Sequence, residues 1–388
     1  MKIDLLKGVR VLLVAHYVPG ATAAYLLRCL GAEVVKVEPP FHDRLRTFPP
    51  HFSGVEGQMG AWFRTLNAGF RSIVCDFKSE SDRRLFGKLA RKCDLLIDGN
   101  RPGYLESVLG QHPEKVHDRL IYLPISAHGQ VGPLRDVAGH DNNVMALAGN
   151  LSYTTPTAEG LPGTFSAPIA DINSGYLAAF LGVTALFARQ SSQSDCGVRT
   201  FDPSMLHAAF FLNQMQVATL NLVPEPPQAS RAWMNGGLAN YTSYRTADDQ
   251  AVFLGPIEPK LFANFAAAID RPDLNDLLYA QNEALRTELQ AIFAGRTAAE
   301  WEAHLAGIDA CFTVVRDLQA ALVHPQIQAL GLVREIDDPH YGKMKLSGFP
   351  AGFGPESQPP DVPDHAPEPG ADAAWVEENW LDGEFPIS

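Results

Sequence analysis

The chain has 388 residues, of which 46% are hydrophobic and 19% are charged, and its formal net charge at pH 7 is −13. This length allows two or three domains, and this composition is that of a globular protein with a sizeable core. Nine acidic residues and no Lys or Arg follow Pro355, which leaves 35 acidic and 31 basic residues before it. The body of the chain is therefore nearly neutral, and we expect no nucleic-acid partner.

Several features of the sequence bear on the cellular setting. No uninterrupted apolar run approaches the ~18–20 residues of a membrane-spanning helix. The apolar run at residues 9–15 is too short for a signal-peptide core, and the final Pro386-Ile387-Ser388 is not a peroxisomal signal. We expect a cytoplasmic protein with no membrane partner.

The cysteines do not form a metal-binding or redox motif, because their number is odd and no two have a suitable spacing. Unpaired thiols of this kind are typical of an intracellular protein. The last of them lies in an apolar run, so we expect it to serve packing. The five cysteines are Cys29, Cys75, Cys93, Cys196 and Cys311.

The first 130 residues alternate between short apolar strands and helices with an apolar stripe. Repeated strand–helix–strand units predict a parallel sheet covered by helices, with ligands at the carboxyl ends of the strands. The first turn contains Gly20 but no G-x-G-x-x-G, which argues against a bound dinucleotide. The predicted strands are residues 9–15, 33–37, 71–77, 95–97 and 120–124, and the predicted helices are residues 20–30 and 80–90.

The second half of the chain predicts one long helix and a smaller α/β domain. Residues 175–189 are apolar on all sides of a helix, so we expect that helix to be buried. A segment rich in proline and small residues, 224–230, then marks a linker. Beyond it, the predicted strands are residues 241–245, 251–255 and 312–315, and the predicted helices are residues 260–268, 282–293 and 298–306.

Three segments place ionisable side chains beside glycine or proline, where turns and element ends are common. They contain His140 with Asp141, Asp171, and Glu258. A histidine and an aspartate on opposite sides of a carbon acid can remove a proton from one face and return a proton to the other. The same residue types also serve in loops and helix caps, so the segments alone leave both interpretations open.

The sequences of many segments, and their order along the chain, resemble those of the family III CoA-transferases of the CaiB/BaiF type and, within them, the α-methylacyl-CoA racemases. The similarity runs from about residue 5 to residue 354 without large gaps. It implies an acyl-CoA substrate and a homodimer of two interlocked rings, with neither a metal nor a separate cofactor. The segments that carry it are residues 6–11, 30–38, 67–72, 94–103, 129–133, 244–248, 317–318 and 324–326.

The predicted fold is α/β, with a Rossmann-like parallel-sheet large domain and a smaller α/β domain. We place the large CoA-binding domain at residues 1–223 and the small domain at 224–330. The resemblance implies that residues 331–388 return to the large domain before they end in an acidic, proline-rich tail. Trp375 and Trp380 in that tail indicate that its end docks on the protein.

The resemblance also assigns roles to the ionisable residues. In the racemases the residues that match His140 and Asp171 transfer the proton at the α-carbon of the thioester. The residue that matches Glu258 orients the histidine. Asp141 is implied to support the site near the thioester, and it is also suited to cap a helix over residues 142–148.

The sequence departs from the racemase pattern around the two bases. Ile172 follows Asp171, where the racemases have an aromatic residue and a glycine run, and Ala167 and Val144 replace an expected Asn and Tyr. An Asp with a small residue and Gly shortly after it, here Ser174 and Gly175, leading into an apolar helix, is also typical of the true CoA-transferases, in which the aspartate is a nucleophile that carries CoA as a thioester. A third interpretation is a family member that binds acyl-CoA without catalysis.

The expected contacts to CoA are arginines, since guanidinium suits phosphate geometry. Arg101 matches an arginine that contacts CoA phosphates in the family, and Arg71 follows a position where relatives carry a basic residue. Pro39 stands where relatives have another arginine, for which Arg44 or Arg46 is the candidate replacement.

Overall fold

A computed structural model of the protein describes residues 4–54, 57–190, 197–223, 229–352 and 365–381. The chain forms two compact units. The first comprises residues 1–148, 165–214 and 325–388, and the second comprises residues 149–164 and 215–324. Residues 149–164 thus group with a unit that the predicted boundaries begin at residue 224, and the side chain of Asn235 donates a hydrogen bond to the carbonyl of Tyr153 there.

The secondary structure follows the predicted alternation. The strands are β1 (Arg10–Val14), β2 (Glu33–Glu38), β3 (His51–Gly54), β4 (Gly57–Gly60), β5 (Arg71–Val74), β6 (Leu95–Asp98), β7 (Ile121–Pro124), β8 (Thr242–Arg245), β9 (Ala251–Leu254), β10 (Phe312–Val314), β11 (Val333–Asp338) and β12 (Gly342–Ser347). The helices are α1 (Val18–Cys29), α2 (Ala61–Leu66), α3 (Glu80–Ala90), α4 (Tyr104–Leu109), α5 (Asp141–Leu147), α6 (Ile169–Gln190), α7 (Met205–Phe211), α8 (Gln214–Leu220), α9 (Pro259–Ala268), α10 (Asn282–Phe293), α11 (Ala298–His304), α12 (Leu318–Leu322), α13 (Pro325–Ala329) and α14 (Ala373–Val376).

The first unit is built on the predicted parallel sheet, with strand order β5-β2-β1-β6-β7 and every pairing parallel. Side chains alternate between the two faces of a strand, and both faces of β1 are buried. Val11 and Leu13 join one core with α1 and α6, while Leu12 and Val14 join another with α3 and α4. This two-sided burial explains why β1 reads as a continuous apolar run rather than as an alternating one.

The described segment that contains Trp375 and Trp380 docks on the first unit, as these two tryptophans predict. Trp380 is fully buried, and its indole N–H donates to the carboxylate of Glu33 on β2. Arg71 on β5 stacks on Trp375 at 3.4 Å and pairs with Asp372 at 3.0 Å. The predicted solvated part of the tail lies mostly in residues 353–364 and 382–388, outside the described residues.

Helix α6 is longer than predicted, and the prediction that it is buried on all sides is wrong. One side packs on α1 and the sheet, but Tyr176, Phe180, Val183 and Phe187 are exposed on the single chain. It is also long and apolar enough to meet the length and composition criteria for a membrane-spanning helix. Core helices meet the same criteria, and this one has a core-packed side.

The second unit has its own sheet and core. Strands β8, β9 and β10 form an antiparallel sheet, covered by α9, α10 and α11 around the buried rings of Phe262, Phe265 and Phe293. Cys311 precedes β10 with φ of 47° and is exposed, so the prediction that it serves packing is wrong. Cys29, Cys75 and Cys93 are buried free thiols, and Cys196 lies outside the described residues.

The docked C-terminal segment predicts a large stability effect. Trp380→Ala should lower the free energy of unfolding by about 3–5 kcal/mol, because it leaves a cavity in the core and the Glu33 carboxylate without its donor. Trp233→Ala, at a tryptophan that is 61% exposed, is the control and should cost less than about 1 kcal/mol. Urea denaturation followed by circular dichroism measures both, and equal midpoints would contradict the docking.

Candidate active site

The site lies where the strand order of the parallel sheet reverses. The chain leaves β1 towards β2 on one side, and β6 pairs with β1 on the other. In open parallel sheets ligands bind in the crevice between the carboxyl ends of two such strands. Here the crevice is bordered by the turn after β1, with His16 and Tyr17, and by the turn after β6, with Asn100.

A buried cation holds the first of these turns. Lys36 on β2 is inaccessible to solvent, and its Nζ donates to the carbonyl of Ala15 at 2.9 Å and lies 2.7 Å from Oδ2 of Asp43. Burial alone would raise the pKa of Asp43, but the ion pair with Lys36 and hydrogen bonds outweigh it and hold that pKa well below its usual range. The turn after β1 is thus tied to β2.

A buried carboxylate holds the second turn. Asp98 ends β6 and accepts hydrogen bonds from the Tyr122 hydroxyl at 2.7 Å and from the backbone and side-chain N–H groups of Asn100, both at 2.8 Å. Burial raises the pKa of Asp98 despite these donors. Because Asn100 also donates to the Val14 carbonyl, its position is fixed between β1 and β6.

Two cavities open beside these turns, and His16 and Asn100 line both. The first, of about 570 Å³, contains His140 and Asp171, with Tyr17, Arg101 and the aromatic pair Phe48 and Trp62 also in its wall; we call it the His140–Asp171 cavity. The second, of about 670 Å³, is lined by Lys78, Arg83, Phe41 and Tyr104, and we call it the Lys78–Arg83 cavity.

Asp171 is a half-buried carboxyl in the first turn of α6. Its backbone N–H donates to Oδ1 of Asp141 at 3.0 Å, and no hydrogen-bond partner for Oδ2 of Asp141 lies within the described part of the chain. Burial and then the charge of Asp141 raise the pKa of Asp171 to about 7. A carboxyl with this proton affinity can both accept and give a proton near neutral pH.

Close packing of two helices sets the position of Asp171. Gly175 lies one turn further along α6, and a Cβ there would come within 2.7 Å of Thr22 and 2.8 Å of the Pro19 carbonyl on α1. Only glycine permits this approach. It brings the start of α6 against the turn after β1, where Tyr17 lies.

His140 immediately precedes α5. It is the N-cap residue of that helix, and its backbone N–H donates to Oδ1 of Asn143 at 3.0 Å. The predicted cap, Asp141, is instead the first helical residue, and its carboxylate accepts from the N–H of Asp171 on another helix. The His140 ring makes an edge-to-face contact with Tyr17, with ring centroids 5.8 Å apart.

Glu258 belongs to the second unit. It is the N-cap residue of α9, directly before Pro259, and its side chain makes no capping hydrogen bond. The structure therefore brings His140, Asp141 and Asp171 together in the first unit, and places Glu258 on a helix start of the other.

The arginines predicted to contact CoA divide into two groups. Arg101 lines the His140–Asp171 cavity, and Arg44 is exposed over the ring of Phe41 at the edge of the Lys78–Arg83 cavity. Arg71 is held by Asp372 and Trp375 and is not among the described residues that line either cavity. Arg46 is buried in a bidentate pair with Glu38, which leaves Arg44 as the candidate replacement.

Sequence reasoning missed several residues of the site. Tyr17, His16 and Asn100 follow predicted strands directly, and this position at strand carboxyl ends is a signal that points to them. Lys78 follows the predicted strand at residues 71–77 directly, so the same signal points to it. Arg83 had no such signal, because the helix that carries it reads as an ordinary amphipathic surface helix, and only the folded chain places it in one cavity wall with Phe41.

The raised pKa of Asp171 predicts a pH-dependent stability. The unfolded group ionises near 3.8 and the folded group near 7, so folding takes up a proton between these values and the stability falls as pH rises through that window. Asp171→Asn should therefore be more stable than the wild type at about pH 8, and this advantage should shrink towards about pH 4. Thermal melts across this range measure it, with the exposed Asp118→Asn as control; a pH-independent difference would contradict the assignment.

Comparison with known proteins identifies the family. The model of CoA-transferase family III matches residues 6–373. The chain is 31% identical over 327 residues to α-methylacyl-CoA racemase of Mus musculus, covering 82% of this chain and 80% of that protein. It is 27% identical over 358 residues to succinyl-CoA:glutarate CoA-transferase of the same organism, covering 88% and 79%. A CaiB/BaiF family protein from Brucella suis, 21% identical, shares the fold with a TM-score of 0.81 over 98% of this chain and 100% of that one. The chain therefore belongs to CoA-transferase family III.

Proposed function

We propose that this protein racemises the α-carbon of a 2-substituted acyl-CoA, such as a 2-methylacyl-CoA, by removing and returning its α-proton. The observation that carries the proposal is the pairing of His140 and Asp171 in one cavity, with the pKa of Asp171 raised to about 7. A base and an acid held in one cavity are what exchange at a weakly acidic carbon needs.

The proton transfer involves two side chains in complementary states. For one enantiomer, neutral His140 takes the α-proton, and the electron pair of the C–H bond moves into the thioester to give an enolate. Protonated Asp171 then donates its proton to the opposite face of the same carbon. For the other enantiomer Asp171 is the base and His140 the acid. Burial, and then the charge of Asp141, raise the pKa of Asp171 to about 7, which makes it a stronger base than an ordinary aspartate.

Glu258 enters the proposal through the resemblance to the racemases, in which the matching residue orients the catalytic histidine. Its carboxylate makes no capping hydrogen bond at the start of α9 and is thus not committed there. Asp141 supports the site by tuning Asp171 rather than by touching the substrate.

We place the CoA moiety across the two cavities, with the thioester at His140 and Asp171 and the nucleotide in the Lys78–Arg83 cavity. His16 and Asn100, which line both cavities, support this continuity. Lys78 and Arg83 supply positive charge for phosphate, and Arg101 and Arg44 add charge at the edges. Arg71 lies outside this proposed CoA site, because it pairs with Asp372 and stacks on Trp375.

A second candidate function is CoA transfer between carboxylic acids. Its support is Asp171 at the start of a segment typical of transferases and the similarity to a glutarate CoA-transferase. In that reaction the Asp171 carboxylate attacks the donor thioester and expels CoA thiolate, which returns to the aspartyl carbonyl and releases the donor acid. An acceptor carboxylate then attacks the aspartyl thioester, which forms a second mixed anhydride and expels CoA thiolate. The thiolate attacks the acyl carbonyl of that anhydride, which gives the new acyl-CoA and regenerates the Asp171 carboxylate.

We further propose a homodimer and a cytoplasmic location, without a metal, a separate cofactor, or a nucleic-acid or membrane partner. The exposed apolar residues of α6 support the dimer, since an apolar patch of this kind marks an interface. A family member that only binds acyl-CoA would need neither His140 nor a basic Asp171 in its cavity.

The proposal predicts deuterium exchange at the α-carbon. In D2O the protein should introduce α-deuterium into 2-methylacyl-CoA without moving CoA to an added free acid. His140→Gln and Asp171→Asn should each lower this rate by about 10²–10⁴-fold, because each removes one proton-transfer group. His304→Gln and Asp118→Asn, both at exposed positions, are matched controls, and mass spectrometry reads the label.

The same incubation distinguishes the alternatives. Two observations together would show transferase chemistry instead of racemisation. CoA transfer would survive in His140→Gln, and hydroxylamine would convert Asp171 to a hydroxamate that peptide mass spectrometry detects. Binding of acyl-CoA with neither exchange nor transfer over a panel of acyl groups would favour the binding-only interpretation.

The placement of CoA predicts a separate effect on affinity. Lys78→Ala and Arg83→Ala should each raise KM for acyl-CoA by about tenfold and leave kcat nearly unchanged, because they contact a part of the substrate remote from the reacting carbon. Arg84→Ala is the matched control, since Arg84 is adjacent on α3 but pairs with Glu80 and does not line the Lys78–Arg83 cavity. An equal effect of all three variants would contradict this placement.

A further inference from the structure

Tyr17 has a backbone conformation that tyrosine rarely adopts. It lies in the turn after β1, directly before α1, with φ of 65° and ψ of −157°. This region of φ and ψ is populated almost only by glycine, and residues found there cluster at functional sites. Tyrosine is also a poor N-cap residue, and the side chain of Tyr17 makes no capping hydrogen bond. Local preferences therefore do not explain a tyrosine at this position.

The surroundings of the turn enforce the unusual conformation. The Ala15 carbonyl is held by buried Lys36, and a Cβ at Gly99 or Gly20 would come within 2.6 Å of the Ala15 Cβ, so the turn is packed from both sides. Helix α1 then begins at Val18, with Pro19 in its first turn. The chain is therefore held on both sides of Tyr17, at Ala15 before it and at Pro19 after it, and its conformation is set between them.

The enforced conformation directs the tyrosine ring at His140. The two rings meet edge to face, with an interplanar angle of 82°, and both line the His140–Asp171 cavity. His140 is the N-cap residue of a helix of seven residues. Tyr17 belongs to a different element, the rigid turn after β1, and contacts the His140 ring within the same unit.

We propose that Tyr17 is a positioning residue for His140, which holds the imidazole facing the substrate through ring contact rather than through its hydroxyl. The inference rests on the proposed proton-transfer role of His140 and adds a determinant on the first unit to the one expected from Glu258. The alternative is that Tyr17 is only an apolar wall, since it also packs against the buried cluster of Val18, Leu45 and Phe63.

Four variants separate these interpretations. Tyr17→Phe keeps the ring and removes the hydroxyl, while Tyr17→Leu keeps apolar volume and removes the ring. Tyr17→Ala and Tyr17→Gly both remove the ring and differ only in how well the residue tolerates the backbone conformation. Since a positive φ favours glycine, Tyr17→Gly should melt a few degrees above Tyr17→Ala.

The readouts are the α-deuterium exchange rate and the NMR signal of the His140 ring in protein with ¹³C-labelled histidine. His140→Gln identifies the signal among those of the 12 histidines. We expect Tyr17→Phe to match the wild type in both. Tyr17→Leu, Tyr17→Ala and Tyr17→Gly should each shift the His140 signal and lower kcat by about tenfold or more with little change in KM, because a misplaced base loses rate rather than binding.

The results distinguish a failure of the positioning role of Tyr17 from a failure of the proposed racemase function. An unmoved His140 signal in Tyr17→Leu, or full exchange activity in Tyr17→Gly, would overturn the positioning role. Loss of the wild-type signal and rate in Tyr17→Phe would assign the effect to the hydroxyl and overturn the ring contact. A shifted signal with no exchange even in the wild-type protein would leave Tyr17 as the residue that orders His140 and refute the racemase activity instead.

Discussion

The buried ammonium of Lys36 is the interaction on which the geometry of the site depends. It joins β2 to the turn after β1 through the Ala15 carbonyl and to Asp43 through an ion pair, with every charged atom out of contact with water. A buried charge that loses its partner is strongly destabilising, so these three groups must keep their arrangement as the protein moves. The carboxyl end of β1 is thereby made rigid at the point where the sheet order reverses and the cavities open.

This rigidity allows the fold to maintain arrangements that cost free energy. Tyr17 keeps a backbone conformation suited to glycine, and Asp171 keeps a raised pKa beside a second carboxyl. Each is destabilising by itself, and each persists because the packing of α1, α6 and the turn after β1 leaves no alternative. Gly175 links the two, since the close approach of α6 to α1 brings the aspartate to the same wall as the tyrosine.

The sequence predicted the strands and helices better than it predicted the tertiary contacts of individual side chains. The strands and helices of the parallel sheet lie close to where periodicity placed them, because β1 and its neighbours are short runs that fit only a two-sided core. His140 and Asp171, known from motifs, do line one cavity. Contacts between distant segments could not be predicted. Arg71 pairs with Asp372, 301 residues further along the chain, and stacks on Trp375, and Tyr17 belongs to no motif. The exposed side of α6 also escaped prediction, because composition alone does not distinguish a core face from one left for a partner.

The proton affinity of Asp171 alone does not select between the two chemistries of the family. A carboxyl with a pKa of about 7 is a good acid when protonated and, when ionised, a stronger base and nucleophile than an ordinary aspartate. Transfer through an aspartyl thioester needs only that carboxylate, whereas racemisation needs a second base on the other side of the carbon. His140 shares the cavity with Asp171, and an otherwise unfavourable tyrosine conformation holds a ring against its imidazole. The histidine in the same cavity, more than the basic aspartate, is therefore the feature on which the proposal of racemisation rests.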